Sequence, residues 1–254
     1  MKSLSKTLLV PILLFLFSFN SIAQKDRYQM YVVHEDHVAE GKMDKHTQAD
    51  KALLDAVKEH NIDMSWVTFQ SDDNRVMYLM PINTMADLDE DPFEKLAKKM
   101  GEQEMEKLFE SFGDTYSEHG DYILKLDKEL SYMPDGITQT PAGKDYREIT
   151  YYWIPPGKEK KAEEVARAAK ELYTKKGSNV HYRLYKSGFG TMGNYYMVAV
   201  AAEDADALEK MRNENVKLLG EEGQKLSEEI QQTMPKQERY HGKMRMDLSY
   251  ASNN

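Results

Sequence analysis

Leu130-Ser131-Tyr132 and Leu248-Ser249-Tyr250 are one tripeptide written twice, 118 residues apart. Upstream of these anchors, Lys98-Lys99-Met100-Gly101-Glu102 matches Lys217-Leu218-Leu219-Gly220-Glu221 at a shift of 119, and Tyr28 matches Tyr146 at 118. One inserted or deleted residue reconciles the two shifts. A period this long is too large for a solenoid unit and suits a small domain, so the chain reads as a tandem duplication.

Each copy carries the same order of elements. In the first, β-branched and aromatic residues over 28–34 predict a strand, and Ala49, Leu53, Leu54 and Val57 give helical spacing over 46–60. Stretches 64–70 and 75–80 flank the turn cluster Ser71-Asp72-Asp73-Asn74 and predict a hairpin. Asp91-Pro92 starts a helix, because Asp caps free amides and Pro at the first helical position loses no hydrogen bond. That helix is expected to run toward Tyr116 and break at Gly120, with a last strand over 121–132. The second copy repeats the order: strand 146–154, helix 159–175, a hairpin from 180–186 and 194–201 around Gly188-Phe189-Gly190, helix 205–232 and strand 239–250. Pro134-Asp135-Gly136 and Pro141-Ala142-Gly143 mark a turn-rich connection. The expected domains are a targeting segment 1–23, a first repeat 24–136, a linker 137–145 and a second repeat 146–254.

The order β-α-β-β-α-β is the ferredoxin-like arrangement, with two helices covering one face of a four-stranded antiparallel sheet. The bare faces are then expected to cover each other within one chain. With Ile154-Pro155-Pro156-Gly157-Lys158-Glu159 leading into a helix, the chain resembles the dimeric α/β-barrel superfamily, and locally the NIPSNAP-type and antibiotic-biosynthesis-monooxygenase-type domains. The resemblance implies an α+β fold in which two ferredoxin-like repeats pair their antiparallel sheets as an intrachain dimeric α/β-barrel. The first repeat lacks the Pro-Pro-Gly lead-in and has His34-Glu35-Asp36-His37 near that point.

Strand alternation divides each first strand into two faces. Tyr31, Val33, Ile149 and Tyr151 form an apolar set expected to pack under the helices. Tyr28, Met30, Val32 and His34, with Tyr146, Glu148, Thr150 and Tyr152, are then expected to point between the sheets, where a carboxylate, an imidazole and phenols would converge in a small-molecule pocket. His34, Glu148 and Tyr152 are the candidate catalytic groups, and Tyr28, Met30, Thr150, His181, Arg183 and His241 the candidate ligand contacts. A buried Glu148 needs a partner or a proton, and Arg183, His181, Lys243, Arg245 and His241 lie on strands of its repeat. The competing reading of Glu148 is a structural ion pair.

His34-Glu35-Asp36-His37 offers metal donors, yet no second ligand group at characteristic spacing accompanies it, so a solvated junction is the expectation and no metal is assigned. Some relatives of this fold bind haem through a helical histidine. His46 and His60 are the only histidines on a predicted helix, so no cofactor is assigned either. The 16 tyrosines and 16 methionines are explained by packing. No phosphate loop, nucleophile elbow or zinc-protease motif occurs.

Lys2 and Lys6, the apolar run 8–19 and Ser21-Ile22-Ala23 read as a cleaved export segment; the run is about a dozen residues, short of the roughly 20 of a spanning helix. The mature chain is then expected in the periplasm or outside the cell, beginning at Gln24. There is no cysteine, hence no disulfide framework. Net charge is −9, and loss of the two lysines makes it −11, which disfavours nucleic acid and anionic membranes as partners. The sequence points to an exported α/β barrel that binds a small, partly apolar ligand. The alternatives are a cofactor-independent monooxygenase or cyclase/isomerase using His, Glu and Tyr, and a structural or partner-binding protein. A monomer is expected as the minimum unit, since one chain supplies both sheets.

Overall fold

The computed structural model describes residues 27–252; the export segment expected over 1–23 lies outside the described residues. The first repeat contributes β1 (Tyr28–Val38), α1 (Met43–Glu59), β2 (Ser65–Ser71), β3 (Arg75–Ile82), α2 (Glu94–Met100), α3 (Glu102–Glu110) and β4 (Tyr116–Asp127). The second contributes β5 (Tyr146–Ile154), α4 (Glu159–Lys176), β6 (Tyr182–Ser187), β7 (Asn194–Ala202), α5 (Ala205–Thr233) and β8 (Gln237–Met244), followed by a short β9 (Tyr250–Ala251).

Neighbouring strands run β3-β1-β4-β6-β7-β5-β8-β2, and β2 returns to β3, which closes an eight-stranded antiparallel barrel. Each repeat keeps the ferredoxin-like order inside its own half. The halves meet at two seams, β4 on β6 and β2 on β8.

The duplicated tripeptide latches both seams. Ser131 Oγ accepts from Leu184 N at 2.9 Å and donates to Asp127 O at 2.7 Å. Ser249 Oγ accepts from Thr68 N at 2.9 Å and donates to Arg245 O at 2.8 Å. Tyr132 bridges to Tyr182 at the start of β6, as Tyr250 pairs with Trp66 on β2, and Leu130 and Leu248 are buried beside them. Each repeat thus ends by hydrogen bonding to the second strand of the other. The repetition seen in the sequence is the two-fold repetition of a seam contact.

Glycine lets the seams close. A Cβ on Gly242 would lie 2.2 Å from Gln70 O on β2, and one on Gly188 2.8 Å from Ile123 O on β4. The loop after β6 extends the β4–β6 seam, where Ile123 N donates to Phe189 O at 2.8 Å.

Two features differ from expectation, for local reasons. The helix expected from 91 toward 116 is broken at Gly101, whose φ of 93° is left-handed, and its counterpart Gly220 kinks α5 at φ 57°. These are the matched glycines of the repeat, free of the Cβ penalty that bars most residues there. Gly120 does not end a helix but sits within β4, which therefore starts earlier and stops at Asp127, before the latch.

The expected division of faces is reversed. Tyr31, Val33, Ile149 and Tyr151 pack with Phe69, Leu79, Leu124, Leu126, Tyr185 and Met197 in one cluster drawn from both repeats, the barrel interior. The alternate set, including His34, Glu148, Thr150 and Tyr152, lies beneath the helices. A closed barrel shuts water out of its interior, so the apolar set fills it, while groups under a helix can be met by polar side chains from that helix.

Candidate functional site

β1 and β4 run antiparallel with His34 opposite Asp121 and Asp36 opposite His119. Directly opposed residues share a face, so two His-x-Asp triplets are brought together under the helices of the first repeat. The segment His34-Glu35-Asp36-His37 is therefore strand, not the solvated junction expected. Asp36 is only 2% exposed. His34 Nδ1 lies 2.9 Å from Asp121 Oδ1 and its Nε2 3.2 Å from Asp36 Oδ1. Burial would depress the imidazolium, but Asp36 and Asp121 outweigh it and hold its pKa up at about 9.

α1 supplies His46 and Asp50, one turn apart and both buried. The Tyr78 hydroxyl from β3 lies 2.6 Å from Asp50 Oδ1 and 3.0 Å from His46 Nε2. His46 Nδ1 is 2.7 Å from Thr115 Oγ1, and that hydroxyl donates to Phe112 O at 2.7 Å. The network assigns the Nδ1 proton to His46. Burial pushes Asp50 up to about 7 against the pull of the Tyr78 hydrogen bond, and burial lowers the His46 pKa. Burial also drives the Tyr78 phenol well above its ordinary value. Asp50 Oδ2 is buried and accepts no hydrogen bond, and buried Asp36 Oδ1 is met by His34 Nε2 at 3.2 Å.

His34, Asp36, Asp50, Tyr78, His119 and Asp121 border a cavity of about 820 Å³ whose other walls include Leu53, Trp66, Met80, Phe93, Phe109 and Phe112, with His46 behind Tyr78 and Asp50. That is the size and make-up of a small-molecule site: apolar walls with a few convergent polar groups. Phe93 at the start of α2, Phe109 on α3 and Phe112 just beyond it supply phenylalanines to the walls.

A second cavity of about 520 Å³ lies beneath α4 and α5, with Glu148, Thr150, Tyr152 and Arg212 among its lining. Glu148 is 1% exposed and pairs with Arg212 from α5 and with His241 Nε2 at 3.2 Å. Arg239 lies 3.6 Å away. The carboxylate is satisfied on both oxygens, the arrangement of a structural ion pair. Arg212 escaped the sequence reading because only strand residues were considered as partners.

The candidate residues thus fall into separate places. His34 and Glu148 do not share a cavity, because the helices of different repeats cover them. Tyr152, Thr150 and His241 stay near Glu148. Arg183 lies outside the lining of both cavities, and its Nη1 donates to Thr138 O and Gln139 O, at 2.6 and 2.7 Å, fixing the connection between repeats. His181 packs edge-on to Tyr132 at 5.6 Å. Tyr28 lies near Lys186, whose Nζ is 5.5 Å from its ring, and Met30 is half-buried on β1. Asp50, Tyr78, His119 and Asp121 were not singled out. A signal for two of them was present, since His34-Glu35-Asp36 recurs in pattern as His119-Gly120-Asp121 on a strand of the same repeat.

A single chain that closes an eight-stranded antiparallel barrel from two ferredoxin-like halves has the dimeric α/β-barrel fold. No family model and no curated protein matches the sequence. Among solved structures the chain is similar to an anthrone oxidase-like protein, with a TM-score of 0.59 and 11% identity over 89% of this chain and 94% of that one. It is also similar to a candidate monooxygenase from Lactobacillus acidophilus, with a TM-score of 0.49 and 11% identity over 85% and 93% of the two chains. A third, from Fusobacterium nucleatum, has a TM-score of 0.49 and 12% identity over 85% and 92%. The likeness is one of fold.

Proposed function

We propose that this protein is an enzyme that takes a small, partly apolar carbon acid or phenol into the first-repeat cavity and removes a proton from it. The observation that carries this reading is the Asp50–Tyr78–His46 chain at the edge of an apolar cavity. His46 keeps its Nδ1 proton for Thr115, so the trio exchanges one further proton among Asp50, Tyr78 and His46 Nε2. A carboxylate with a pKa near 7 is matched to proton transfer at neutral pH, where acid–base help is worth about 10²–10⁴-fold. In the step itself, a C–H or O–H proton of the substrate passes to the free Asp50 Oδ2, and the substrate is left as its carbanion or phenolate. Apolar walls suit a delocalised anion of this kind. The anthrone oxidase-like neighbour supports an aromatic substrate of similar shape.

The second cavity, with Glu148 fully paired, fits holding a ligand or supporting the fold rather than chemistry. Residues 1–23 support export with cleavage after Ala23, and among the described residues no helix is long and apolar enough to cross a membrane. We take the closed barrel of one chain as the minimum working unit.

The test uses anthrone as probe, in D₂O under argon, with deuterium uptake at its acidic methylene read by mass spectrometry. The protein should accelerate exchange, and Asp50→Asn should abolish about 10²-fold or more of the acceleration, while Glu148→Gln retains it. Absence of acceleration, or full acceleration in Asp50→Asn, overturns the reading for this substrate class.

A further inference from the structure

We propose that His34, Asp36 and His119 form a binding site for a divalent first-row transition ion at the edge of the first-repeat cavity. The three side chains each offer one donor atom, and these atoms all lie within 4.8 Å of one another. His34 Nε2 and Asp36 Oδ1 are 3.2 Å apart, close to the separation of two donors that each sit about 2.0–2.1 Å from one ion.

Burial and the orientation of the donors bear on the site besides these distances. Asp36 is 2% exposed, and its Oδ1 is buried. Without an ion the protonated His34 Nε2 faces this oxygen at 3.2 Å; a divalent ion would displace that proton and take both donors. The surroundings also orient the donors. Asp121 Oδ1 holds His34 Nδ1 at 2.9 Å, which leaves Nε2 facing Asp36, the carboxylate–histidine arrangement that fixes metal-binding imidazoles. The other Asp36 oxygen lies on the side of His46, 3.6 Å from its Nε2.

The backbone explains why these residues meet. His34 opposes Asp121 and Asp36 opposes His119, so two His-x-Asp triplets on antiparallel strands present two imidazoles and two carboxylates on one face. Strand positions are rigid, which suits a site whose donors must hold their geometry. Two imidazoles with one carboxylate, and positions open toward a cavity, suit Fe(II), Mn(II), Co(II) or Zn(II) rather than a hard Ca²⁺ or Mg²⁺ site. The inference goes beyond the proton-transfer reading and stands on different residues.

The experiment is titration of tag-free, metal-stripped protein with Co(II), read by its visible absorption and by elemental analysis after desalting. One equivalent should bind, and Zn(II) should displace it. His119→Ala removes an exposed donor without disturbing the core and should weaken Co(II) binding more than tenfold. Asp121→Asn should weaken it about 10–100-fold through the loss of orientation, while His60→Ala and Glu148→Gln leave it unchanged. No uptake of any of the four ions at millimolar concentration overturns the site, as does binding that His119→Ala leaves intact. Neither result bears on the deuterium exchange that tests the Asp50 relay.

Discussion

Replacing the serine of each latch by alanine isolates what the duplicated tripeptide does. Ser131→Ala removes the acceptor for Leu184 N and the donor to Asp127 O while changing almost no volume. Ser131 is 2% exposed and Leu184 3%, so water does not readily replace the lost partner, and the stranded N–H should cost about 2–3 kcal/mol. Ser249→Ala breaks the equivalent bonds at Thr68 and Arg245. Ser249 is less buried, so water can restore part of the loss, and about 1 kcal/mol is expected. The two latches share no partner, and the double variant should show the sum. Urea unfolding followed by far-UV circular dichroism measures this. With a slope of about 3 kcal/mol per molar, Ser131→Ala should lower the midpoint by about 0.7–1 M without changing the slope. If both variants fall within about 0.3 kcal/mol of the parent, the tripeptide is not a seam device. A larger loss for Ser249→Ala than for Ser131→Ala would refute the burial argument behind the asymmetry.

Gly242→Ala should cost about 3 kcal/mol or more, because its Cβ would meet Gln70 O at 2.2 Å and the Ser71 backbone at 2.7 Å; a melting temperature within about 2 °C of the parent would show that the seam has slack. Glu148→Gln should destabilise by about 1–3 kcal/mol by leaving Arg212 without its charge partner, and equal stability in thermal unfolding would mean that solvent already screens the pair. Acid should loosen the β4–β6 seam. Burial opposes it, but Arg27, Lys186 and Arg167 pull Glu163 down to about 2, so its contribution is complete above the ordinary carboxylate range and fades as pH falls from about 4.5 toward 2. Glu163→Gln should therefore flatten the decline of the urea midpoint over that range, and an unchanged decline would remove Glu163 from the account.

The architecture was legible because it rests on local and repeated signals. Tyr146–Ile154 was readable to the residue as a run of β-branched and aromatic side chains, and the glycines that break the second helix of each repeat sit at matched positions in Lys98–Glu102 and Lys217–Glu221. What those glycines would do was less plain, since helical periodicity continues through both and only the backbone angles report the break. The site was half legible. His34 and Glu148 are polar residues on strands that line enclosed space, but the expectation of one shared interior fails, because they occupy two cavities under different helices.

The sequence by itself determined the duplication, the order of elements and hence the closing of two half-barrels into one, because hydrophobic period and turn chemistry act over a few residues. Only the tertiary structure decided which face of β1 and β5 looks inward, because alternation yields two faces without naming the one that water leaves. It also decided that His119 and Asp121 stand opposite Asp36 and His34, and that Tyr78 reaches both Asp50 and His46. Those contacts are set by strand register and by how α1 lies across the sheet, quantities that no short stretch of the chain encodes.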